Sequence, residues 1–444
     1  MRGTARVLSV AAIALVAVAV RDAAGRARPY SLAAAGIVGC PPGGRSVPAG
    51  AGLQMAIDGA RQGAVLCLMP GGYRGPVVIT RPLTLWGPPD AVVVSDGEGT
   101  TIRALADGVV LQGFAVRGSG RRYDKMDAAV YVHGSHVEVR DLAVARALFG
   151  IIVEQSDSVT IAGNHVVGLA ELPVGIRGDG IRLWEVRHSD VVGNRLEDSR
   201  DILVWYSPDD RIIDNTVVRS RYGTHFMYSD GSSVDGADYR SNIVGVFVMY
   251  SRGVTVRRSI FADNVEADAM GLGVKESGDL VVDHDRFLNA GACLYLDTSP
   301  FRKGDSVLVQ HNSFIGCNSG VTFHSSERDN AFIDNTFQAN RVHVAIEGRG
   351  TALGVEWRGN YFDDYQGYDL DGDGIGDVPY EVHDLSERLL ATHPGLAFFR
   401  GTAVLELLDL AGRALPMLEP EALLIDPMPR MTPDDGNGKR QGGT

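Results

Sequence analysis

The central part of the chain repeats itself with a period of about 21 to 30 residues, and this repeat restricts the fold more than any other feature. Two copies read YGTHFMYSDGSSVDGADY and VGVFVMYSRGVTVRRSIF. A single copy is too short to bury its own apolar face, so the copies must stack. Short alternating strands at this period, without helical periodicity between them, predict an all-β fold. We expect a right-handed parallel β-helix over residues 46–365.

Two residue types recur at fixed places in the repeat. In most copies a glycine precedes one short strand, and in many an asparagine stands two residues before an apolar side chain, as in Asn194/Leu196 and Asn335/Phe337. Stacked copies bring equivalent positions into line along the axis of the solenoid. The asparagines are therefore expected to form a ladder in which the amides bond to one another.

The alternation within the strand that follows the glycine assigns its faces. With the glycine as position 1, positions 2 and 4 are apolar in nearly every copy, so they point inward and positions 3 and 5 point outward. His225 and Met227 then project outward side by side, and Met249 occupies the Met227 position of the next copy. Two thioethers and an imidazole form a soft ligand set suited to Cu(I), which predicts a copper site. The competing interpretation is an apolar patch with Trp205 and Phe247 that a partner protein covers.

The N-terminus predicts export. Arg2 and Arg6 precede an apolar run, Val7–Val20, which is typical of a signal peptide and short for a membrane span; we assign residues 1–24 to it. An uncleaved anchor is the alternative. The segment LQMAIDGA that follows predicts a short helix capping the open end of the solenoid. These features predict a periplasmic protein.

Charge and cysteine content limit the function classes. The net charge of −13 makes nucleic acid a poor partner, because nucleic-acid binding usually requires basic patches. Cys40, Cys67, Cys293 and Cys317 show no C-x-x-C spacing. Four cysteines allow three disulfide pairings, and we expect buried free thiols instead.

The acidic segment 366–382 resembles the first half of a Ca²⁺-binding loop. Asp369, Asp371 and Asp373 alternate and are followed by a glycine, but the twelfth position is Tyr380 rather than glutamate. With Asp377 as a further ligand, this pattern predicts a structural Ca²⁺ site. The alternative is an acidic turn without an ion.

The C-terminal segment 383–431 is apolar. Leu407, Leu408 and Leu410 recur at helical spacing, which predicts a helical tail that either packs back on the solenoid or contacts a partner, at a membrane among other places. We expect residues 432–444 to be disordered.

An enzyme is the main alternative function. Parallel β-helices often cleave or epimerise acidic polysaccharides, and Arg221, Tyr222, His225 and Asp201 offer a base and a charge neutraliser. The outward positions beside His225 are hydrophobic or carry sulfur, whereas a saccharide groove would be lined with charges. A metal-free docking scaffold is a third interpretation.

The stretches RYGTHFMYSD, VFVMYSRGVTVRRSIF and GNYFDDYQGYDLDGDGIGDVPY resemble the NosD family, and the resemblance extends from about Ser46 to Pro429. NosD proteins are periplasmic β-helix proteins required for maturation of nitrous oxide reductase. The resemblance implies an accessory role without enzymatic activity, in assembly of the copper-sulfide centre of the reductase. It implies as partners an ABC transporter of one ATPase and one membrane subunit, and a copper-carrying lipoprotein. The apolar tail would then contact the membrane subunit, so that the protein associates with the membrane through the transporter.

Overall fold

The chain winds through three parallel sheets in a computed structural model that describes residues 39–266, 268–326, 328–347, 351–382, 396, 402–405, 407–408 and 422–433. Each circuit, here called a rung, passes through one strand of sheet A, one of sheet B and one of sheet C. All strand pairs within these sheets are parallel and join successive rungs. The predicted parallel β-helix is thereby confirmed.

The strands have the following bounds. Sheet A contains Arg45–Val47, Ala64–Leu68, Leu83–Trp86, Val110–Gln112, Glu138–Arg140, Thr160–Ala162, Asp190–Val192, Arg211–Ile213, Ser233–Asp235, Thr255–Arg257, Leu280–Asp283, Val307–Gln310, Asn330–Ile333 and Glu356–Arg358. Sheet B contains Gly71–Arg74, Ala91–Val94, Ala115–Arg117, Ala143–Ala145, His165–Val167, Arg195–Glu197, Thr216–Val218, Asp238–Arg240, Ile260–Asn264, Arg286–Ala290, Ser313–Ile315, Thr336–Gln338 and Tyr361–Phe362. Sheet C contains Val77–Ile79, Ile102–Ala104, Ala128–Val132, Phe149–Glu154, Ile181–Trp184, Ile202–Trp205, Tyr222–Met227, Val244–Met249, Met270–Lys275, Ala292–Asp297, Ser319–His324 and Val342–Glu347. Outside the sheets are a helix, Leu53–Asp58, two 3₁₀ turns, Tyr123–Lys125 and Val174–Ile176, and an antiparallel pair, Tyr380–Val382 with Leu424–Asp426.

The core runs along the inside of the solenoid. Thr224 and Phe226 face inward and are fully buried, as the alternation predicts. In sheet B the apolar residue two places after each ladder position stacks on its equivalent, and consecutive phenylalanines such as Phe287 and Phe314 have ring centroids 5.1 Å apart. Such stacked pairs add to the free energy gained from burial of the rings.

The asparagine ladder forms in two runs. Nδ2 of Asn194 donates to Oδ1 of Asn215 at 3.0 Å, and Nδ2 of Asn335 donates to Oδ1 of Asn360 at 3.0 Å. The second run ends at Asp426, which lies outside the repeat. Nδ2 of Asn360 donates to the buried carboxylate of Asp426 at 2.9 Å. The C-terminal segment therefore supplies the hydrogen-bond acceptor for the ladder asparagine of the last rung.

Both ends of the solenoid contact further elements. Gln54, in the helix Leu53–Asp58, bonds both backbone groups of Val78 in the first strand of sheet C, at 2.7 and 3.1 Å. At the other end residues 422–433 return to the last rung, and Leu424 is fully buried there. The rest of the predicted tail, apart from residues 396, 402–405 and 407–408, lies outside the described residues. No helix in the described part of the chain is long and apolar enough to cross a membrane.

The expectation of free thiols is wrong. Cys40 bonds to Cys67 and Cys293 bonds to Cys317. The partners are 27 and 24 residues apart, which is about one rung, so the winding of the chain brings each pair to neighbouring positions. Disulfides of this kind persist in oxidising compartments, in agreement with the predicted export.

The buried carboxyl of Asp210 should make the free energy of unfolding depend on pH. One carboxyl oxygen accepts the Ser189 N–H at 2.8 Å, while burial raises the pKa of Asp210 to about 8. Because this value lies above that of the unfolded chain, the folded protein should lose stability as the pH rises from about 4 to about 8, by at most about 1.4 kcal/mol per pH unit. Asp210→Asn keeps an oxygen that can accept this hydrogen bond and cannot ionise. Urea unfolding should therefore show that the unfolding free energy of the variant rises relative to that of the wild type over this pH interval. The exposed Asp124→Asn is the control, and an equal trend in both variants would contradict the assignment.

Candidate metal centre

Two neighbouring strands of sheet C carry the predicted copper ligands. In the pairing of Tyr222–Met227 with Val244–Met249, Met227 lies opposite Met249 and His225 lies opposite Phe247. Nε2 of His225 is 3.4 Å from Sδ of Met249. Both methionines are half-buried. An imidazole nitrogen and two thioether sulfurs, from residues up to 24 apart in sequence, are thus gathered on one face; we call these three residues the sheet C patch.

His225 is less accessible than predicted. Its side chain leaves the strand on the outer face, yet His225 is only 7% exposed. Tyr222 packs edge-on against the imidazole with ring centroids 5.1 Å apart, and the Phe247 ring, itself in contact with Tyr222, lies 6.1 Å from the imidazole. The imidazole is thus on the outer face, as the alternation predicts, but the two rings cover it. A metal ion would reach His225 along the two methionines, which stay partly exposed.

A buried carboxylate lies behind the imidazole. Oδ2 of Asp201 is 3.6 Å from Nδ1 of His225, and Asp201 also forms a bidentate ion pair with Arg221. Burial raises the pKa of Asp201, but the nearby imidazole of His225 and the hydrogen bonds from Arg221 together outweigh burial, so this pKa stays below its ordinary value. At 3.6 Å this carboxylate does not hydrogen-bond to Nδ1, but its negative charge favours the tautomer with the proton on Nδ1. Nε2 then carries the lone pair and faces the thioether of Met249, an arrangement that a soft cation would satisfy.

A second buried carboxyl extends this cluster, and sequence analysis missed it. Burial, followed by the charge of Asp201, raises the pKa of Asp179 to about 7. Arg182 donates to Asp179 at 3.2 Å and lies over the Trp184 ring at 4.7 Å. The sequence signal was the aspartate before the glycine in DGIRLW and the aspartate in place of the glycine in RDILVW, on consecutive rungs.

Glycine shapes the far edge of the patch. Gly273 lies opposite Phe247, and a Cβ at this position would lie 3.0 Å from the Phe247 ring and 3.1 Å from Sδ of Met270. The absence of a side chain at Gly273 therefore lets the Phe247 ring and a third methionine pack together beside the patch.

Aromatic side chains flank the patch on the other edge. Trp205 lies opposite Met227 and packs on Trp184, with ring centroids 4.6 Å apart. The tyrosine after each outward residue forms a stack, in which Tyr206 and Tyr228 are 5.1 Å apart and 46% and 42% exposed. The predicted contact residues Trp205 and Phe247 are both half-buried. The exposed apolar surface next to the methionines is thus formed by the tyrosines more than by these two residues.

Asp201→Asn tests whether this carboxylate positions His225. We expect Cu(I) affinity to fall by about 10- to 100-fold, the usual effect of losing a residue that orients a metal ligand, with one copper still bound. Asp179→Asn is the matched control, because Asp179 is buried in the same cluster but contacts Arg182 instead of His225. Competition with a Cu(I) chelator measures both variants. If Asp201→Asn and Asp179→Asn bound Cu(I) with equal affinity, Asp201 would have a role in folding but none in positioning His225.

The predicted calcium loop gathers three of its four carboxylates. Ligand oxygens of Asp369, Asp371 and Asp373 lie within 4.8 Å of one another. Asp377 is turned to the backbone instead, where it accepts the Leu370 N–H at 2.7 Å. Hydrogen bonds from the backbone, that of Gly374 first, lower the pKa of Asp369. Ca²⁺ binding stays a prediction.

The predicted tail contacts are described only in part. Leu407 is 63% exposed and Leu408 is half-buried, both in helical conformation. Leu410 lies outside the described residues, as do residues 434–444 of the segment predicted to be disordered.

Fold and site together define a class, namely parallel β-helix proteins that carry a methionine- and histidine-bearing patch on one sheet. Among solved structures, the A-module of a mannuronan C-5 epimerase from Azotobacter vinelandii is similar, with a TM-score of 0.53 over 68% of this chain and 93% of that one. At 15% identity this likeness shows the fold alone.

Sequence comparison gives the family. Residues 167–367 match the family model described as "Periplasmic copper-binding protein (NosD)". A protein of Pseudomonas aeruginosa named "Probable ABC transporter binding protein NosD" is 30% identical over 399 residues, covering 83% of this chain and 87% of that protein. Its namesake in Stutzerimonas stutzeri is 26% identical and covers 79% and 83%. The chain belongs to the NosD family.

Proposed function

We propose that this chain is a periplasmic accessory protein that receives Cu(I) on the sheet C patch and passes it on during assembly of the copper centre of nitrous oxide reductase. The observation that carries the proposal is the 3.4 Å approach of His225 Nε2 to Met249 Sδ, with Met227 in register beside them. Thioether and imidazole ligands select Cu(I) over harder ions. The family description as copper-binding and periplasmic supports both the cargo and the compartment.

The partners follow from the same role. The names of both NosD relatives support association with an ABC transporter, to which we assign the membrane subunit and its ATPase. A copper-carrying lipoprotein would load the sheet C patch, and the reductase would be the final acceptor. Leu407, Leu408 and Leu410 are the proposed contacts with the membrane subunit; the exposure of Leu407 supports this. The signal peptide, residues 1–24, would deliver the chain to the periplasm.

Replacing the patch in living cells tests the function. In cells without their own copy of this chain, His225→Ala/Met249→Ala should leave the reductase exported but without its copper-sulfide centre, because the cargo site is lost. The control is Met55→Ala, since Met55 is 76% exposed on the N-terminal helix and belongs to no proposed site. A complete copper centre in the double variant, with the transporter still bound, would contradict the proposal and favour the metal-free docking scaffold.

A polysaccharide lyase or epimerase is the second candidate. The observation in its favour is the meeting of Arg221, Tyr222 and His225 around Asp201, on a fold shared with an epimerase. Against it, Asp201 is fully buried and His225 nearly so, which leaves a sugar no access to either group. Incubation with alginate and pectate should yield no unsaturated product and no change in uronate configuration. Either product would favour the enzyme.

A further inference from the structure

A second group of side chains that could bind a metal lies at the corner where the chain passes from sheet A to sheet B. From Gly113 onward, each rung passes at this corner through one residue with positive φ, and the next residue occupies the ladder position. In most rungs the positive-φ residue is glycine or aspartate. In the described part of the chain, histidine fills it only on two consecutive rungs, at His284 with φ 58° and His311 with φ 54°.

The stacking of rungs turns this pair into a potential ligand set. The strands before the corner pair Asp283 with Gln310, so the residues that follow, His284 and His311, come into line. Their imidazole rings stack with centroids 4.7 Å apart. Residues 27 apart in sequence therefore present two imidazoles from adjacent rungs to the same volume.

Both rings turn the same nitrogen toward one carboxylate. Oδ1 of Asp283 is 2.8 Å from Nδ1 of His284 and 3.1 Å from Nδ1 of His311. One ligand atom from each of the three residues lies within 4.8 Å of the others. Oδ2 of Asp334, one rung further on, is 3.9 Å from Nε2 of His311. The His284 and His311 side chains are 59% and 34% exposed, so an ion could enter from solvent.

We propose that Asp283, His284 and His311 bind a borderline divalent ion of the first transition row, for which Zn²⁺ is the probe. Two imidazoles and one carboxylate are a common set for Zn²⁺ with an open position, whereas soft Cu(I) prefers the thioethers of the sheet C patch. Water fills the remaining position, which is open to solvent. The two sites differ in ligand chemistry and share no residue, so this proposal does not rest on the proposed copper function.

Zinc titration of the full chain tests the proposal, with competition against a fluorescent chelator. The wild type should bind Zn²⁺ at this corner, and Co²⁺ in its place should give a visible absorption band. Loss of a residue that only orients a metal ligand lowers metal affinity by roughly 10- to 100-fold. His284→Ala/His311→Ala removes two ligands and should lower the affinity for Zn²⁺ by more than this. His188→Ala is the control, because His188 is also exposed and also pairs with one aspartate, Asp157, at 3.1 Å, but among the described residues these two side chains belong to no group of three potential metal ligands.

Two further variants distinguish this corner from other places. His225→Ala/Met249→Ala should bind Zn²⁺ as the wild type does. So should His343→Ala, although His343 lies 3.0 and 3.3 Å from the carboxylates of Asp363 and Asp364. Loss of Zn²⁺ in either of these variants, equal Zn²⁺ affinity in the wild type and His284→Ala/His311→Ala, or no binding by the wild type would overturn the proposal.

Discussion

Replacement of His225 and Met249 together by alanine is expected to lower the affinity for Cu(I) by well over 100-fold. Loss of a partner that only orients a ligand already costs about 10- to 100-fold, and this variant removes two of the three ligands themselves. Each single variant should fall between the double variant and the wild type, because one imidazole or one thioether would remain beside Met227. Anaerobic competition with a Cu(I)-specific chelator measures all three.

The controls for this experiment follow from burial. His225 is only 7% exposed and packs on Tyr222, so the double variant should lose some unfolding free energy, and urea unfolding has to show that it is fully folded under the conditions of the titration. Met55→Ala removes an exposed methionine elsewhere and should leave the affinity unchanged. Wild-type affinity in the double variant would move the copper site away from sheet C.

The second large effect concerns Gly245, the second residue of the strand Val244–Met249. A Cβ on Gly245 would lie 2.4 Å from the backbone oxygen of Gly271 and 2.7 Å from the Phe261 ring. Neither group can retreat, since one belongs to the next strand and the other to the stacked core. Gly245→Ala should therefore cost about 3 kcal/mol of unfolding free energy, at the upper end of the usual range for overpacked cores.

Urea unfolding checks this expectation against Gly72→Ala. Gly72 is also in a strand of the solenoid, but a Cβ at this position would meet no atom within 4 Å. The control should stay within about 0.5 kcal/mol of the wild type, as is usual for a surface substitution. If both variants were equally stable, the recurring glycine would have no role in the close approach of neighbouring strands.

The repeat predicted the solenoid and the register of the site well, because both follow from strand alternation and from the period. Met227 and Met249 could be placed opposite each other from their separation of 22 residues alone. The covering of His225 could not be predicted in this way. Tyr222 stands at the end of a strand next to a corner, where alternation no longer fixes the direction of a side chain.

Other features were present in the sequence but needed a different alignment. Cys293 and Cys317 are 24 residues apart, close to the length of one rung, so the period itself could have indicated that they are neighbours. His284 and His311 become visible as a pair only when the residue before each ladder position is compared across copies. The partnership of Asp201 with His225 depends on side-chain directions at a corner, which the repeat does not determine.

X-ray absorption spectroscopy of the Cu(I)-loaded protein tests the central claim most directly. All four cysteines are paired in disulfides, so sulfur close to copper has to come from methionine. We predict one nitrogen and two sulfur neighbours, with the sulfur signal reduced in Met227→Ala and again in Met227→Ala/Met249→Ala. A first shell of nitrogen and oxygen alone, or a sulfur signal that both substitutions leave unchanged, would contradict a copper site on sheet C.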